Sequence, residues 1–336
     1  MLQRLCENFQ YADLLSRAAK EEDQFIRLCL IGAFCISAYA FNPHRILKFF
    51  NPLLSETYEY IDNERKFRYF AEQVSHHPAI SACYAEGEGY KFYTNTITET
   101  KFKLMNGSLE INPITKCYVN LEKFNELISF TKPKAIAKNL IVGKMFLDAC
   151  GIIEVRNNRT GDTCEIELFD KSKDIQGKII GEAKDILGNI KYKLEGNWLS
   201  HLDIIDPNTG KRETIWKKTI IEGNEEEKFF FTDFSINLNN LTEEMKTSLP
   251  PSDSRFRPDQ RYLEYQDYDK AASEKHRLEE KQRNTRKERE KTKFKYKPIY
   301  FEETYDDLSG ELIYIYKGGY FEDRKNKRFE KFYDIF

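Results

Sequence analysis

The 336-residue sequence has no surplus of charge: 53 Lys and Arg stand against 55 Asp and Glu, a formal net charge of −2. That excludes a uniformly basic nucleic-acid binder, although a local basic stretch can hide inside a neutral total. Tryptophan is scarce, with two residues, and the aromatic share of 14% comes from 25 Phe and 20 Tyr, types that favour strands. A wide sheet is expected. Cysteine lacks any pattern: Cys6, Cys29, Cys35, Cys83, Cys117, Cys150 and Cys164 make an odd set without a C-x-x-C pair or a histidine at metal-ligand spacing. They read as reduced thiols, mostly buried. A basic leader followed by an apolar core and a small-residue cleavage site is missing, so no secretory signal is read and the cytosol is the expected location. No repeat or low-complexity linker interrupts the chain, and its length allows a sizeable core without disulfide staples.

What is present divides into three sub-regions of one expected domain, 1–336. Residues 1–44 read as N-terminal helices, from the spacing of Leu2, Leu5, Cys6, Phe9, Leu14 and Leu15, ended by Asn42-Pro43. Residues 25–41 are apolar over roughly a bilayer-spanning length. Arg27 inside the run, Gly32 and Ser37 diluting it, and Glu21, Glu22 and Asp23 before it favour a helix buried in a large core. Residues 45–240 change to short alternating runs such as Lys66-Phe67-Arg68-Tyr69-Phe70, Tyr90-Lys91-Phe92-Tyr93 and Cys164-Glu165-Ile166-Glu167-Leu168. Turn signals separate them at Asn106-Gly107, Asn157-Asn158, Thr160-Gly161-Asp162, Leu187-Gly188-Asn189 and Asp206-Pro207-Asn208-Thr209-Gly210. So many antiparallel strands must close or stack to protect their edges, which predicts a mainly β (α+β) fold built on a large near-complete antiparallel barrel. Residues 241–336 form a helical and aromatic C-terminal region. Within it, residues 255–297 carry 15 Lys and Arg against 9 Asp and Glu. The absence of Gly and Pro between Tyr268 and Lys293 predicts a long exposed helix rich in ion pairs.

The chemically informative segment is Glu72-Gln73-Val74-Ser75-His76-His77-Pro78. Neighbouring strand residues point to opposite faces, so both histidines reach one ligand only where the backbone bends or the strand ends. A metal reading fails for want of further ligands, and a serine hydrolase for want of a G-x-S-x-G elbow. Three more segments weigh in: Lys48-Phe49-Phe50-Asn51-Pro52-Leu53-Leu54-Ser55-Glu56, Leu194-Glu195-Gly196-Asn197-Trp198 and Asp253-Ser254-Arg255-Phe256-Arg257-Pro258-Asp259-Gln260-Arg261. With the histidine segment they resemble the lipid-binding domain of the oxysterol-binding protein-related family, whose hallmarks are E-Q-V-S-H-H-P-P, K-P-x-N-P-x-L-G-E and D-S-R-x-R-P-D. Agreement continues through Asn139-Leu140-Ile141-Val142-Gly143-Lys144, Leu278-Glu279-Glu280-Lys281-Gln282-Arg283 and Tyr316-Lys317-Gly318-Gly319-Tyr320.

The resemblance implies a barrel enclosing one lipid in a tunnel, either a sterol or phosphatidylserine, exchanged for phosphatidylinositol 4-phosphate. It implies that Lys48 and Asn51, with the Phe49 and Phe50 backbone, hold the head group from one side. His76 and His77 would grip the 4-phosphate, and Lys275, Glu279 and Arg283 would complete the site. That triplet, spaced i, i+4, i+8, falls on one helix face. A phosphomonoester carries about −1.5 to −2 charges and needs several donors, and histidines beside it should favour the protonated form, so that binding weakens as pH rises. The family's K-P stands here as Lys48-Phe49, L-G-E as Leu54-Ser55-Glu56, and H-H-P-P as His77-Pro78-Ala79. Looser loops are expected there, and Ser55 is expected to conflict with a positive φ. The amphipathic lid that usually precedes the segment Leu2-Gln3-Arg4-Leu5-Cys6-Glu7 is expected to be absent or much shortened. The expected protein is a monomeric, cytoplasmic, peripherally membrane-associated lipid-transfer protein without enzymatic activity, cofactor, metal or nucleic-acid partner. Anionic membranes are expected to meet the basic residues 286–297. A lipid sensor that recruits a partner, and an enzyme acting on phosphoinositides, are the alternatives.

Overall fold

A computed structural model describes residues 1–45, 50–103, 107–170 and 176–336. The N-terminal helical region is broken into α1 (Leu2–Cys6), a 3-10 turn, α2 (Asp13–Ala18) and α3 (Gln24–Ser37). The break before α3 arises from Asp23, whose carboxylate accepts from the backbone N–H groups of Phe25 and Ile26 and so starts a new helix. Among the described residues one helical stretch, Gln24–His44, is long and apolar enough to cross a membrane, and 78% of its apolar 18-residue window is buried inside the protein. Arg27 is accommodated within it because its guanidinium forms a two-point pair with Glu126, at 2.6 and 2.9 Å, and donates to the carbonyls of Glu21 and Glu22.

Around α3 curves one antiparallel sheet. It runs through β1 (Thr57–Asp62), β2 (Phe67–His76), β3 (Ala79–Gly87) and β4 (Tyr90–Thr96). A flap of β5 (Thr98–Lys103) and β6 (Ser108–Pro113) leaves this path, which resumes at β7 (Cys117–Leu121) and β8 (Glu126–Phe130). β9 (Lys134–Lys138) joins the flap to β10 (Phe146–Asn157), and β11 (Thr163–Leu168), β12 (Lys178–Lys184), β13 (Ile190–Asn197), β14 (His201–Ile205) and β15 (Arg212–Lys217) continue as a meander. The turn signals at 157–162, 187–189 and 206–210 fall between β10 and β11, β12 and β13, and β14 and β15. The signal at 106–107 begins outside the described residues. Glycine is required at two close approaches: a Cβ on Gly196 would lie 2.3 Å from the His201 carbonyl oxygen, and one on Gly181 2.6 Å from that of Glu165.

The C-terminal region comprises α4 (Asp233–Ile236), α5 (Glu243–Ser248), α6 (Pro258–Glu264), α7 (Tyr268–Thr292), the hairpin β16 (Phe301–Tyr305) with β17 (Leu312–Tyr316), and α8 (Tyr320–Lys325). It explains why burial along β2 does not alternate. Tyr69 and Ala71 face the interior core, yet Phe70 is also fully buried, because Tyr300, Phe301 and Tyr320 cover it from outside. The Phe70 and Tyr320 rings stack at 3.8 Å and Tyr84 stacks on Tyr316 at 4.3 Å. The aromatic surplus thus serves internal packing on both faces of the sheet. Inside, Phe9 contacts the rings of Phe34, Phe67, Tyr69 and Phe92.

Candidate functional site

The histidine segment divides by function along β2. Glu72, fully buried, accepts from the Ile299 and Tyr300 backbone N–H groups at 2.8 and 3.1 Å and from the Tyr296 hydroxyl at 3.0 Å. Burial raises its carboxyl pKa against those hydrogen bonds. Gln73 accepts from Ser81 Oγ at 2.6 Å and donates to the Ser75 carbonyl at 2.8 Å. These two residues anchor structure, whereas His76 ends the strand and His77 opens the turn to β3. The register against β3 slips between Gln73 and Ser75, so that Val74 bulges out of the ladder. A bulge bends its strand and re-aims the side chains beyond it. Both imidazoles, with rings 4.5 Å apart, consequently reach the same cavity.

That cavity, about 490 Å³, brings together every expected site residue within the described set: Phe50, Asn51, His76, His77, Lys275, Glu279 and Arg283. Lys48 and Phe49 lie outside the described residues. One wall is α7, started by the Asp267 carboxylate accepting from the Lys270 N–H. Lys275 Nζ lies 4.0 Å from Glu279, Glu279 lies 3.4 Å from Arg283, and the Lys275 ammonium sits 5.3 Å from the centre of the Phe50 ring. Among the described lining residues Glu279 is the one acid, set against Lys275, Arg283, Arg286, Arg257 and two imidazoles. Gln282 and Arg286 line the same wall without having been singled out by the motif. Their signal was there to read: at i+7 and i+11 from Lys275 they fall within about 20° of its direction on the helix, closer than Arg283 at about 80°.

Arg257 and Leu53 were likewise missed as lining residues. Arg257 donates to Glu56 at 2.9 Å, to Asp259 at 2.8 and 3.0 Å and to the Asn51 carbonyl at 2.7 Å. Glu56 also accepts from Ser254 Oγ and the Leu53 N–H. Arg255 pairs with Asp253 and donates to the Glu59 carbonyl. The D-S-R-x-R-P-D stretch is therefore a buried polar network that ties the Asn51 loop to β1 and to the start of α6. Ser55, inside this loop, has φ of +74°, so the conflict expected of a serine in the family's glycine position is real. Left-handed backbone costs a non-glycine residue roughly 1–2 kcal/mol, part of which glycine returns through its freer unfolded state. Ser55→Gly should raise unfolding free energy by about 1 kcal/mol in a urea titration, and a decrease would show that the Ser55 hydroxyl matters more than its backbone.

In the ligand-free cavity the surroundings of His76 disfavour its charged form. Burial, then His77, then Arg286 hold its imidazole below the ordinary pKa of 6.5. Permanent positive charge for an anion comes from Lys275, Arg283 and Arg286, which line the same cavity. A second cavity of about 420 Å³ shares Phe50 with the first and is lined by Phe231, Ile236, Leu238 and Leu263.

Comparison with known proteins gives this arrangement its context. The family model described as oxysterol-binding protein matches residues 1–325. The chain belongs to the oxysterol-binding protein family. It is 36% identical over 332 residues to human oxysterol-binding protein-related protein 7, covering 96% of this chain and 38% of that protein. It is 34% identical to oxysterol-binding protein-related protein 1B of Arabidopsis thaliana, covering 100% of this chain and 68% of the relative. Against human related proteins 7 and 6 the chain spans 38% and 35% of their lengths. Among solved structures, the Osh1 ORD domain in complex with cholesterol matches with a TM-score of 0.92 at 32% identity, over 100% of this chain and 84% of that one. The Osh3 ORD in complex with PI(4)P from Saccharomyces cerevisiae matches with a TM-score of 0.86 at 31% identity, over 100% and 88%. The fold of the family, a large antiparallel sheet with N- and C-terminal helices, is the fold of this chain.

Proposed function

We propose that this chain binds a phosphoinositide head group in the His76–His77 cavity and transfers lipid between membranes, exchanging phosphatidylinositol 4-phosphate for a sterol or phosphatidylserine. The observation that carries the reading is one cavity in which two imidazoles, an ammonium and guanidinium groups outnumber a single carboxylate. A phosphomonoester, with three acceptor oxygens and nearly two charges, needs such a set of donors. The likeness to a domain complexed with PI(4)P and to one complexed with cholesterol supports the same reading. In the proposed roles His76, His77 and Arg283 meet the phosphate, Lys275 and Asn51 hold the inositol from either side, and Glu279 orients Lys275 and Arg283 or accepts a hydroxyl. The apolar part of each lipid leaves the bilayer for a protein chamber, and burial at ~25 cal/mol per Å² replaces the environment given up. No covalent step is involved, and the protein acts as a cytoplasmic monomer that visits membranes.

Transfer between two liposome populations tests this directly. Rapid movement of phosphatidylinositol 4-phosphate by the protein alone is the expected result, and binding without movement would leave the sensor reading in its place. Mass spectrometry of co-purified lipids under native conditions identifies the second ligand. Membrane contact is proposed through the basic end of α7 and the loop bearing Ile141 and Val142, 63% and 81% exposed, which is tied to the β5–β6 flap by the Leu140 N–H donating to the Gly107 carbonyl. Replacing Ile141 and Val142 together by Asp should reduce sedimentation with anionic vesicles about tenfold or more. Unchanged sedimentation would remove this loop from the contact.

A further inference from the structure

The side-chain amide of Gln282 sits between two partners whose chemistry leaves it one orientation. The backbone N–H of Leu54 can only donate, so the Gln282 atom 2.9 Å from it is the oxygen, Oε1. That turns the amide nitrogen toward His76, 3.0 Å from ring atom Nε2. An amide NH2 can only donate, so His76 Nε2 must present its lone pair, and a neutral imidazole with a bare Nε2 carries its proton on Nδ1. His76 Nδ1 is shielded from solvent and has no hydrogen-bond partner among the described residues.

We propose that Gln282 is a positioning residue that locks His76 as its Nδ1–H tautomer, holding an unpaired donor, shielded from solvent in the lipid-free chain, that an acceptor oxygen of the ligand reaches only when binding uncovers it. The same contact opposes the imidazolium, because a second proton on Nε2 would face the amide hydrogens of Gln282. The groups around His76 point the same way. From its own strand end comes His77, and from α7 come Lys275, Arg283 and Arg286 with the single carboxylate of Glu279; from the 253–259 network comes Arg257, itself paired with Glu56 and Asp259. No carboxylate among the described residues is hydrogen-bonded to His76, and burial, His77 and Arg286 hold its pKa down. His76 is thereby held as a tautomer-fixed donor, and Lys275, Arg283 and Arg286 supply permanent charge opposite an anion.

The identity of the acceptor rests on the head-group reading above, whereas the tautomer does not, and the experiment separates them. Ring-nitrogen NMR of the lipid-free chain at pH 7.5 should show His76 with a protonated Nδ1 and an unprotonated Nε2. An Nε2–H tautomer or an imidazolium there would overturn the proposal. Gln282→Met, which removes both hydrogen bonds, should let the Nε2–H tautomer appear. Gln282→Glu keeps an acceptor for Leu54 and so guards against loss of fold; it should place a proton on Nε2 and raise the His76 titration midpoint by about one unit or more. A tautomer and midpoint unchanged in both variants would also overturn it. Vesicles containing phosphatidylinositol 4-phosphate, compared with phosphatidylcholine alone, should shift the Nδ1 signal. If the lipid-free tautomer is as described and neither vesicle moves it, the acceptor assignment falls and the lock by Gln282 stands.

Discussion

Arg257→Met should lower the free energy of unfolding by about 3–5 kcal/mol, the cost of breaking a buried ion pair from one side. The side chain is 3% exposed and faces Glu56 at 1% and Asp259 at 0%, so its removal strands two carboxylates away from water. Methionine fills comparable volume, which keeps the loss electrostatic in origin and not a matter of a cavity. The Asn51 carbonyl loses its donor as well, so the head-group loop should loosen together with the fold. Urea unfolding monitored by intrinsic fluorescence measures the first effect. Arg257→Lys should recover part of it, since the charge remains but the planar fork that reaches three acceptors does not. A loss below about 1 kcal/mol for the methionine variant would mean that water reaches Glu56 and Asp259 and that the network is no stability device.

The double substitution of His76 and His77 by Ala should weaken phosphatidylinositol 4-phosphate binding by about two orders of magnitude, close to 3 kcal/mol, while a sterol or phosphatidylserine ligand stays largely bound. Each imidazole offers one hydrogen bond to an ionised acceptor, worth roughly 1.5–3 kcal/mol apiece before the remaining cations compensate. The two positions lie at the end of β2 and outside both hydrophobic clusters, so truncation should leave the thermal midpoint nearly unchanged. Competition between fluorescent sterol and phosphoinositide vesicles reads both ligands in one experiment. Equal loss of both would show that the head group sits elsewhere or that the fold is damaged.

The candidate site was largely legible because its residues are contiguous or helically spaced. His76 and His77 are adjacent, and Lys275, Glu279 and Arg283 repeat every four residues on a helix without Gly or Pro. Gln282 and Arg286 could have been read from the same helical geometry, since the face runs through i+7 and i+11. Arg257 could not. In the sequence it is the second arginine of the D-S-R-x-R-P-D motif, and only the approach of Glu56, about two hundred residues away, turns it into the buried support of the Asn51 loop. Leu53 likewise enters the cavity wall only because the loop folds onto α7.

The composition, with its balanced charge and few tryptophans, did determine a good deal by itself. Alternating Phe and Tyr runs specify strands, turn signals at 157–162, 187–189 and 206–210 specify hairpins, and a stretch rich in Glu, Lys and Arg without Gly or Pro specifies α7, because these are local preferences of backbone and side chain. Tertiary structure alone decided which face each aromatic serves. Phe70 reads as a solvent-side strand residue until the C-terminal hairpin covers it. It also decided the hydrogen-bond surroundings of His76, where an amide from α7 is oriented by a backbone N–H from the 53–54 loop. Hydrogen-bond donors and burial act through distances between remote segments, and no pattern along one segment encodes them.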